Sequence, residues 1–108
     1  MTDINEYAAW AKIMWMSKSE TFDERDLTIM SLGLPGETGE VVELLKKRVR
    51  DGNLDINNLK KELGDVLYYW AMLCTAFNLK PSDVIQANQD KLNSRLSRGV
   101  MQGSGDDR

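Results

Sequence analysis

Apolar residues recur along this chain at intervals of three and four, and nowhere alternate with the period of a strand over more than a few positions. Tyr7, Trp10 and Met14 lie along one side of a first helix that Thr2 or Asp3 can cap and that runs to about Ser17. Residues 17–21 read as a connection. A second helical stretch starts near Asp23 or Glu24 and runs to Arg50, but Gly33-Leu34-Pro35-Gly36 falls inside it. Proline removes one backbone donor and crowds the preceding turn, so a kink or short break is predicted there, with the helix resuming at Glu37. Asp51-Gly52-Asn53 is a stop followed by a polar connection. Asp55 or Asn57 then caps a third helix reaching about Phe77. Asn78-Leu79-Lys80-Pro81 is a turn, with Pro81 at the first position of a fourth helix that ends near Ser97. The pattern is that of an all-α protein, an antiparallel four-helix bundle-like protomer over residues 1–98. The remaining tail, residues 99–108, holds three glycines and two aspartates and reads as extended or flexible.

Composition narrows the chemistry. The 108 residues are 42% hydrophobic and 29% charged, which fits one globular domain with a modest core of its own. A chain of this size buries roughly 65% of the surface it exposes unfolded. Net charge is −3, the wrong sign for a general nucleic-acid binder, although basic residues gather at Lys46, Lys47, Arg48 and Arg50 and again at Lys91, Arg95 and Arg98. No apolar run approaches the ~20 residues that span a bilayer. Asp3 and Glu6 near the N-terminus, without a basic flank, do not read as a secretory signal. The single cysteine, Cys74, cannot form an intramolecular disulfide and suits a reducing cytoplasm. Histidine is absent altogether, which excludes Ser-His and Cys-His nucleophilic catalysis and imidazole-built zinc sites. Catalysis would have to run on carboxylates, a metal they hold, lysine or arginine, or the lone thiol.

Two acidic pairs carry the strongest signal, Glu37-x-x-Glu40 and Glu62-Leu63-Gly64-Asp65. Residues three apart on a helix are neighbours, so each pair sets two carboxylates side by side. Such a pair costs energy unless a cation or a proton is shared, and magnesium prefers hard oxygen ligands of this kind. From Glu40 the helix descends ~15 Å to Arg50, and from Asn57 the return helix climbs ~7.5 Å to Glu62. The connection over residues 51–56 can recover the difference, so an acidic quartet across an antiparallel hairpin is feasible. At ~100° per residue, Glu62, Asp65, Tyr69, Leu73 and Ala76 form one stripe beside the apolar arc of Leu59, Leu63, Val66, Leu67, Trp70, Cys74 and Phe77. Spaced glutamates decorate the exposed face of most helices, but Gly39 and Gly64 each weaken a helix by ~1 kcal/mol relative to alanine. Their presence inside the two pairs predicts close approach of backbone or ligand.

Asn88, Lys91 and Arg95 share a face of the fourth helix and suit phosphate oxygens not held by a metal; Lys47 and Arg48 are weaker candidates. Tyr69, one turn beyond Asp65, can stack on a base, with Trp10, Trp15 and Tyr7 as alternatives from the first helix. Met14, Met16, Met30 and Met72 read as packing residues, and Cys74 as a buried, inert thiol.

Taken together, three segments resemble the MazG-like all-α nucleoside triphosphate pyrophosphohydrolases. They are Gly33-Leu34-Pro35-Gly36-Glu37-Thr38-Gly39-Glu40, Glu62-Leu63-Gly64-Asp65-Val66-Leu67-Tyr68-Tyr69, and Asn88-Gln89-Asp90-Lys91-Leu92 with Arg95 following. The tail from Gly103 also resembles an ending seen in some members, and Pro35 departs from a stretch that is often continuous helix. The resemblance implies Glu37, Glu40, Glu62 and Asp65 as ligands of Mg2+, with Mn2+ able to substitute. It implies Asn88, Lys91 and Arg95 as phosphate-binding residues and Tyr69 facing the base. It further implies a homodimer or homotetramer, with no nucleic acid or membrane as partner. The implied reaction cleaves an NTP or dNTP to the monophosphate and pyrophosphate, a metal-activated water attacking the α-phosphorus and Glu37 or Glu40 taking its proton. The alternatives are a dUTPase-like or phosphoribosyl-ATP pyrophosphatase-like enzyme of the same superfamily, or a non-catalytic helical oligomerisation or binding module.

Overall fold

The computed structural model describes residues 2–16, 22–100 and 103–106. Four helices follow in order: α1 (Ile4–Met16), α2 (Glu24–Asp51), α3 (Ile56–Ala76) and α4 (Pro81–Arg98), and the described residues contain no strand. The predicted connection over residues 17–21 lies outside the described residues. None of the helices is long and apolar enough to cross a membrane.

Local chemistry accounts for where the helices begin and end. Asp3 accepts a hydrogen bond from the Glu6 amide at 2.8 Å. Asp23 caps α2 reciprocally: its carboxylate accepts from the Asp26 amide at 2.9 Å, and the Asp26 carboxylate accepts from the Asp23 amide at 3.1 Å. The other Asp26 oxygen accepts from Trp15 Nε1 at 3.2 Å, so this buried acid ties the end of α1 to the start of α2. Asp55 caps α3 through the Asn58 amide at 3.1 Å. Gly52 (φ 82°) and Gly99 (φ 73°) close α2 and α4 in the left-handed conformation that glycine adopts without steric cost.

Of the kink or short break predicted at residues 33–36, the break does not occur: α2 is continuous through Pro35. Proline in a helix interior costs about 3 kcal/mol relative to alanine, much of it the loss of one donor. Here the carbonyl left without that donor belongs to Ser31, which is exposed and open to water. Packing of α2 along α3 on both sides of Pro35 holds the helix in one piece.

The third helix is central. It packs on α2, on α1 and on α4, whereas α2 and α4 do not meet among the described residues. Ala11, Met30 and Met72 are fully buried where α1, α2 and α3 converge, ringed by Tyr7, Trp15, Phe22, Tyr68, Leu73 and Ala76. The face of α3 turned to this core is therefore the side of Tyr68, Met72 and Leu73. The predicted apolar arc is only partly covered: Cys74 is buried, but Leu63, Leu67 and Phe77 are exposed. Met14, read as a packing residue, is exposed as well. The Cα radius of gyration is 16.6 Å, against about 13 Å for a compact chain of ~100 residues. The predicted all-α, four-helix protomer is what the structure shows, its helices gathered around α3.

A clamp fastens α1 to the start of α4. Lys80, the residue before α4, supplies no side-chain cap. Asn5 does so from α1: its Oδ1 accepts from the Ser82 amide at 3.1 Å while its Nδ2 donates to Ser82 Oγ at 3.0 Å. Asn5→Ala is expected to lower stability by about 1 kcal/mol, the usual loss for a removed cap. Chemical denaturation measures this, and an unchanged midpoint would show that the clamp is not held in solution.

Candidate active site

The α2–α3 hairpin sets Gly33 and Glu37 of α2 against Glu62, Asp65 and Tyr69 of α3. Gly33, Glu37 and Glu40 follow one another at helical spacings of four and three, as do Glu62, Asp65 and Tyr69 in the opposite chain direction. Glu37, Glu62 and Asp65 each present a carboxylate oxygen within 4.8 Å of the others. Glu37 and Glu62 are half-buried and Asp65 is exposed. No ion pair engages these three groups among the described residues. Burial pushes the Glu37 carboxyl up, and the Asp65 charge, a hydrogen bond with Glu62 and the charges of Glu62 and Glu40 push the same way. The trio thus has the two properties a divalent cation needs, converging hard oxygens and uncompensated negative charge. Glu40, predicted as a fourth ligand, is exposed and outside the trio, one turn along α2.

Because Glu37 binds its proton more tightly folded than unfolded, its contribution to stability is present at low pH. That contribution is lost as pH climbs from the ordinary glutamate value of 4.5 through the raised folded value. Glu37→Gln removes this dependence. In chelator at pH 7 it is expected to raise Tm by about 1–3 °C, the size of ~0.5 kcal/mol in a domain this small. A lower Tm in differential scanning calorimetry would contradict mutual repulsion within the trio.

Of the close approach of backbone or ligand predicted at Gly39 and Gly64, the first does not arise within the described protomer, and the space beside both stays open. Beyond their own helix turn, no atom of the described residues lies within 4 Å of where a Cβ at Gly39 or Gly64 would stand, so neither accommodates a neighbouring backbone there. The close approach is at Gly33, where a Cβ would fall 2.6 Å from both Cδ1 and Cζ of Tyr69. The Tyr69 ring is half-buried, edge-on to Tyr68 (5.5 Å between centroids) and to Trp15 (6.4 Å). Tyr69 is thereby part of an internal aromatic cluster. On α1, burial raises the Tyr7 hydroxyl and the Asp65 charge adds to the shift. Tyr7 and the half-exposed Trp10, 5.5 Å apart, line a surface cleft of about 430 Å³ together with Thr2 and Glu6.

The polar row of α4 is divided. Asn88 is exposed and Lys91 half-buried, whereas Arg95 is buried and donates to residues 105 and 106. Within the tail read as extended or flexible, residues 103–106 turn back onto α4. Lys47 and Arg48 are exposed.

Residues 25–99 match the MazG nucleotide pyrophosphohydrolase domain, a span that covers most of the chain and contains the whole acidic trio. The chain belongs to the MazG nucleotide pyrophosphohydrolase family. It is also similar to the Gene 37 protein of Mycobacterium phage L5, with 38% identity over 111 residues, covering 98% of this chain and 97% of that protein. No solved structure matches it. The MazG span ends at Gly99 and begins after α1, so Tyr7, Trp10 and the returning residues 103–106 lie outside it. Asn5, Asp26 and Gly33 had no individual role assigned from the sequence. A signal for Gly33 did exist. It continues the Glu37–Glu40 stripe by one turn, as Tyr69 continues that of Glu62 and Asp65, so an antiparallel hairpin that joins the acids also joins this glycine and this ring.

Proposed function

We propose that this MazG-family chain is a magnesium-dependent pyrophosphohydrolase that converts a nucleoside or deoxynucleoside triphosphate to the monophosphate and pyrophosphate. The observation that carries the reading is the convergence of Glu37, Glu62 and Asp65, with no ion pair to them among the described residues. Magnesium bound there, or manganese in its place, supplies positive charge to the triphosphate and acidity to a water molecule. Glu37, Glu62 and Asp65 hold the cation, and Glu40 completes the set or, being exposed beside the trio, shares with Glu37 the task of taking the proton from the attacking water. The water oxygen bonds to the α-phosphorus as the α–β bridging bond breaks, and pyrophosphate leaves. Lys91 and Arg95, with Asn88, stabilise the charge that moves onto the leaving group. For the base, the cleft of Tyr7 and Trp10 offers more open aromatic surface than Tyr69, whose ring already packs against Gly33, Trp15 and Tyr68.

The protomer acts as part of a homodimer or homotetramer in this reading. Val49, Ile13, Leu96 and Leu32 are 84%, 70%, 69% and 68% exposed, apolar side chains that contact with further copies of the chain would cover. Light scattering that returned the mass of a single chain would overturn the assembly. Cys74, a free and buried thiol pushed up by that burial, is consistent with a cytoplasmic protein.

The deciding experiment is pyrophosphate release from a panel of canonical and modified NTPs and dNTPs, with magnesium and with chelator. Metal-dependent release with the monophosphate as co-product establishes the activity and names the substrate. Release from none of them leaves the family assignment in place and removes the proposed reaction.

A further inference from the structure

Outside the acidic trio, the most developed polar constellation is the return of residues 103–106 onto α4. Arg95 is 5% exposed. Its Nη2 donates to the carbonyl of Asp106 at 2.8 Å, to the carbonyl of Gly105 at 3.2 Å and to Asp106 Oδ1 at 3.3 Å. The same Oδ1 accepts from Lys91 Nζ at 3.2 Å. One carboxylate oxygen therefore sits between two cations that helical spacing places on one face. Both cations hold the Asp106 carboxyl below the ordinary range. Arg95 Nε is buried and has no acceptor among the described residues. A buried guanidinium donor without an acceptor carries a desolvation cost, so the docked segment leaves part of Arg95 unsatisfied.

We propose that residues 103–106 are a self-supplied competitor for the phosphate-binding cations, Asp106 standing on Lys91 and Arg95 where an oxygen of a bound polyphosphate belongs. This inference rests on the assignment of Lys91 and Arg95 to phosphate made above. Lys91 Nζ and Arg95 Nη2 both already donate to Asp106 Oδ1, and a second anion on the same donors would be repelled by the first. Entry of a phosphate group therefore requires the carboxylate to leave. It leaves readily, because the side chain of Asp106 is 83% exposed and an ion pair so open to water is weak. A polyphosphate brings more charge and more acceptor oxygens than a single carboxylate, including one for Arg95 Nε. The segment thus sets a threshold that a weakly charged anion fails to cross and a polyphosphate crosses.

Asp106→Asn in the full chain separates the parts. The two carbonyl bonds to Arg95 belong to the backbone and are kept, while the competing charge is removed. Calorimetric titration with inorganic pyrophosphate in chelator is expected to show binding tightened by about two- to fivefold, the range an exposed ion pair spans. In the nucleotide assay KM is expected to fall by a similar factor with kcat unchanged. The tightening is expected to vanish when Lys91→Ala is added, since the relieved competition acts through that amine. Unchanged or weaker pyrophosphate binding, or a loss of kcat in Asp106→Asn, overturns the proposal, because Asp106 then does not compete or belongs to the working site. Tighter pyrophosphate binding without hydrolysis of any nucleotide by either protein keeps the displaceable segment and removes the hydrolase assignment.

Discussion

Asp65→Ala is expected to lower magnesium-dependent pyrophosphate release by about 10²–10³-fold. Metal-held charge is worth several kcal/mol in a phosphoryl transition state, and each 1.36 kcal/mol is a factor of ten in rate. The substitution takes one of three converging oxygens from the trio and removes the charge that adds to the effect of burial in raising Glu37. Asp65 is exposed and packs nothing in the core, so the fold should survive. Helical circular dichroism is expected to match that of the parent protein, and the thermal shift caused by magnesium to disappear. Full activity in Asp65→Ala would sink the assignment of the trio as the metal site. Loss of activity together with loss of helix would show instead that Asp65 is structural. The comparison with Glu40→Ala is informative, since Glu40 stands outside the trio. A loss there that keeps the magnesium-induced thermal shift marks Glu40 as the proton acceptor rather than a ligand.

Gly33→Val is expected to be the most damaging single change to stability among the glycines, by about 2–3 kcal/mol. Even the first added carbon would stand 2.6 Å from two atoms of the Tyr69 ring, closer than real side chains come. The ring is not a flexible tip that swings aside, because Trp15 and Tyr68 hold its edges. Gly39→Ala provides the contrast. It meets nothing within 4 Å and gains up to ~1 kcal/mol of helix propensity, so its midpoint in urea should rise while that of Gly33→Val falls. Gly33→Val with an unshifted midpoint would mean that Tyr69 does not rest on α2 in solution.

These predictions mark what was legible from residue order and what was not. Helix ends were legible because capping is decided within three or four residues. Asp23, Asp55, Gly52, Pro81 and Gly99 each act on their own immediate backbone. Three of the four predicted metal ligands converge for a related reason: a short connection fixes an antiparallel hairpin, and helical spacing does the rest. Pro35 misled because propensity describes a helix in isolation, while α2 is held along its length by α3. The apolar arc of α3 misled for the opposite reason. Periodicity reports that Leu63, Leu67 and Phe77 form a face, but not what covers it. Residues 103–106 had no periodic pattern to follow, and their placement depends on one arginine reaching two carbonyls and a carboxylate.

The confinement of the acidic trio to one hairpin bears on how the site comes into being. Glu37, Glu62 and Asp65 lie within a single stretch of α2 and α3, with no side chain from α1 or α4 among them. The closure needed to join them is local, and loops of that length cost little more entropy than shorter ones. The pairing of α2 with α3 is thus enough to bring the like charges together, whether or not α1 and α4 have docked.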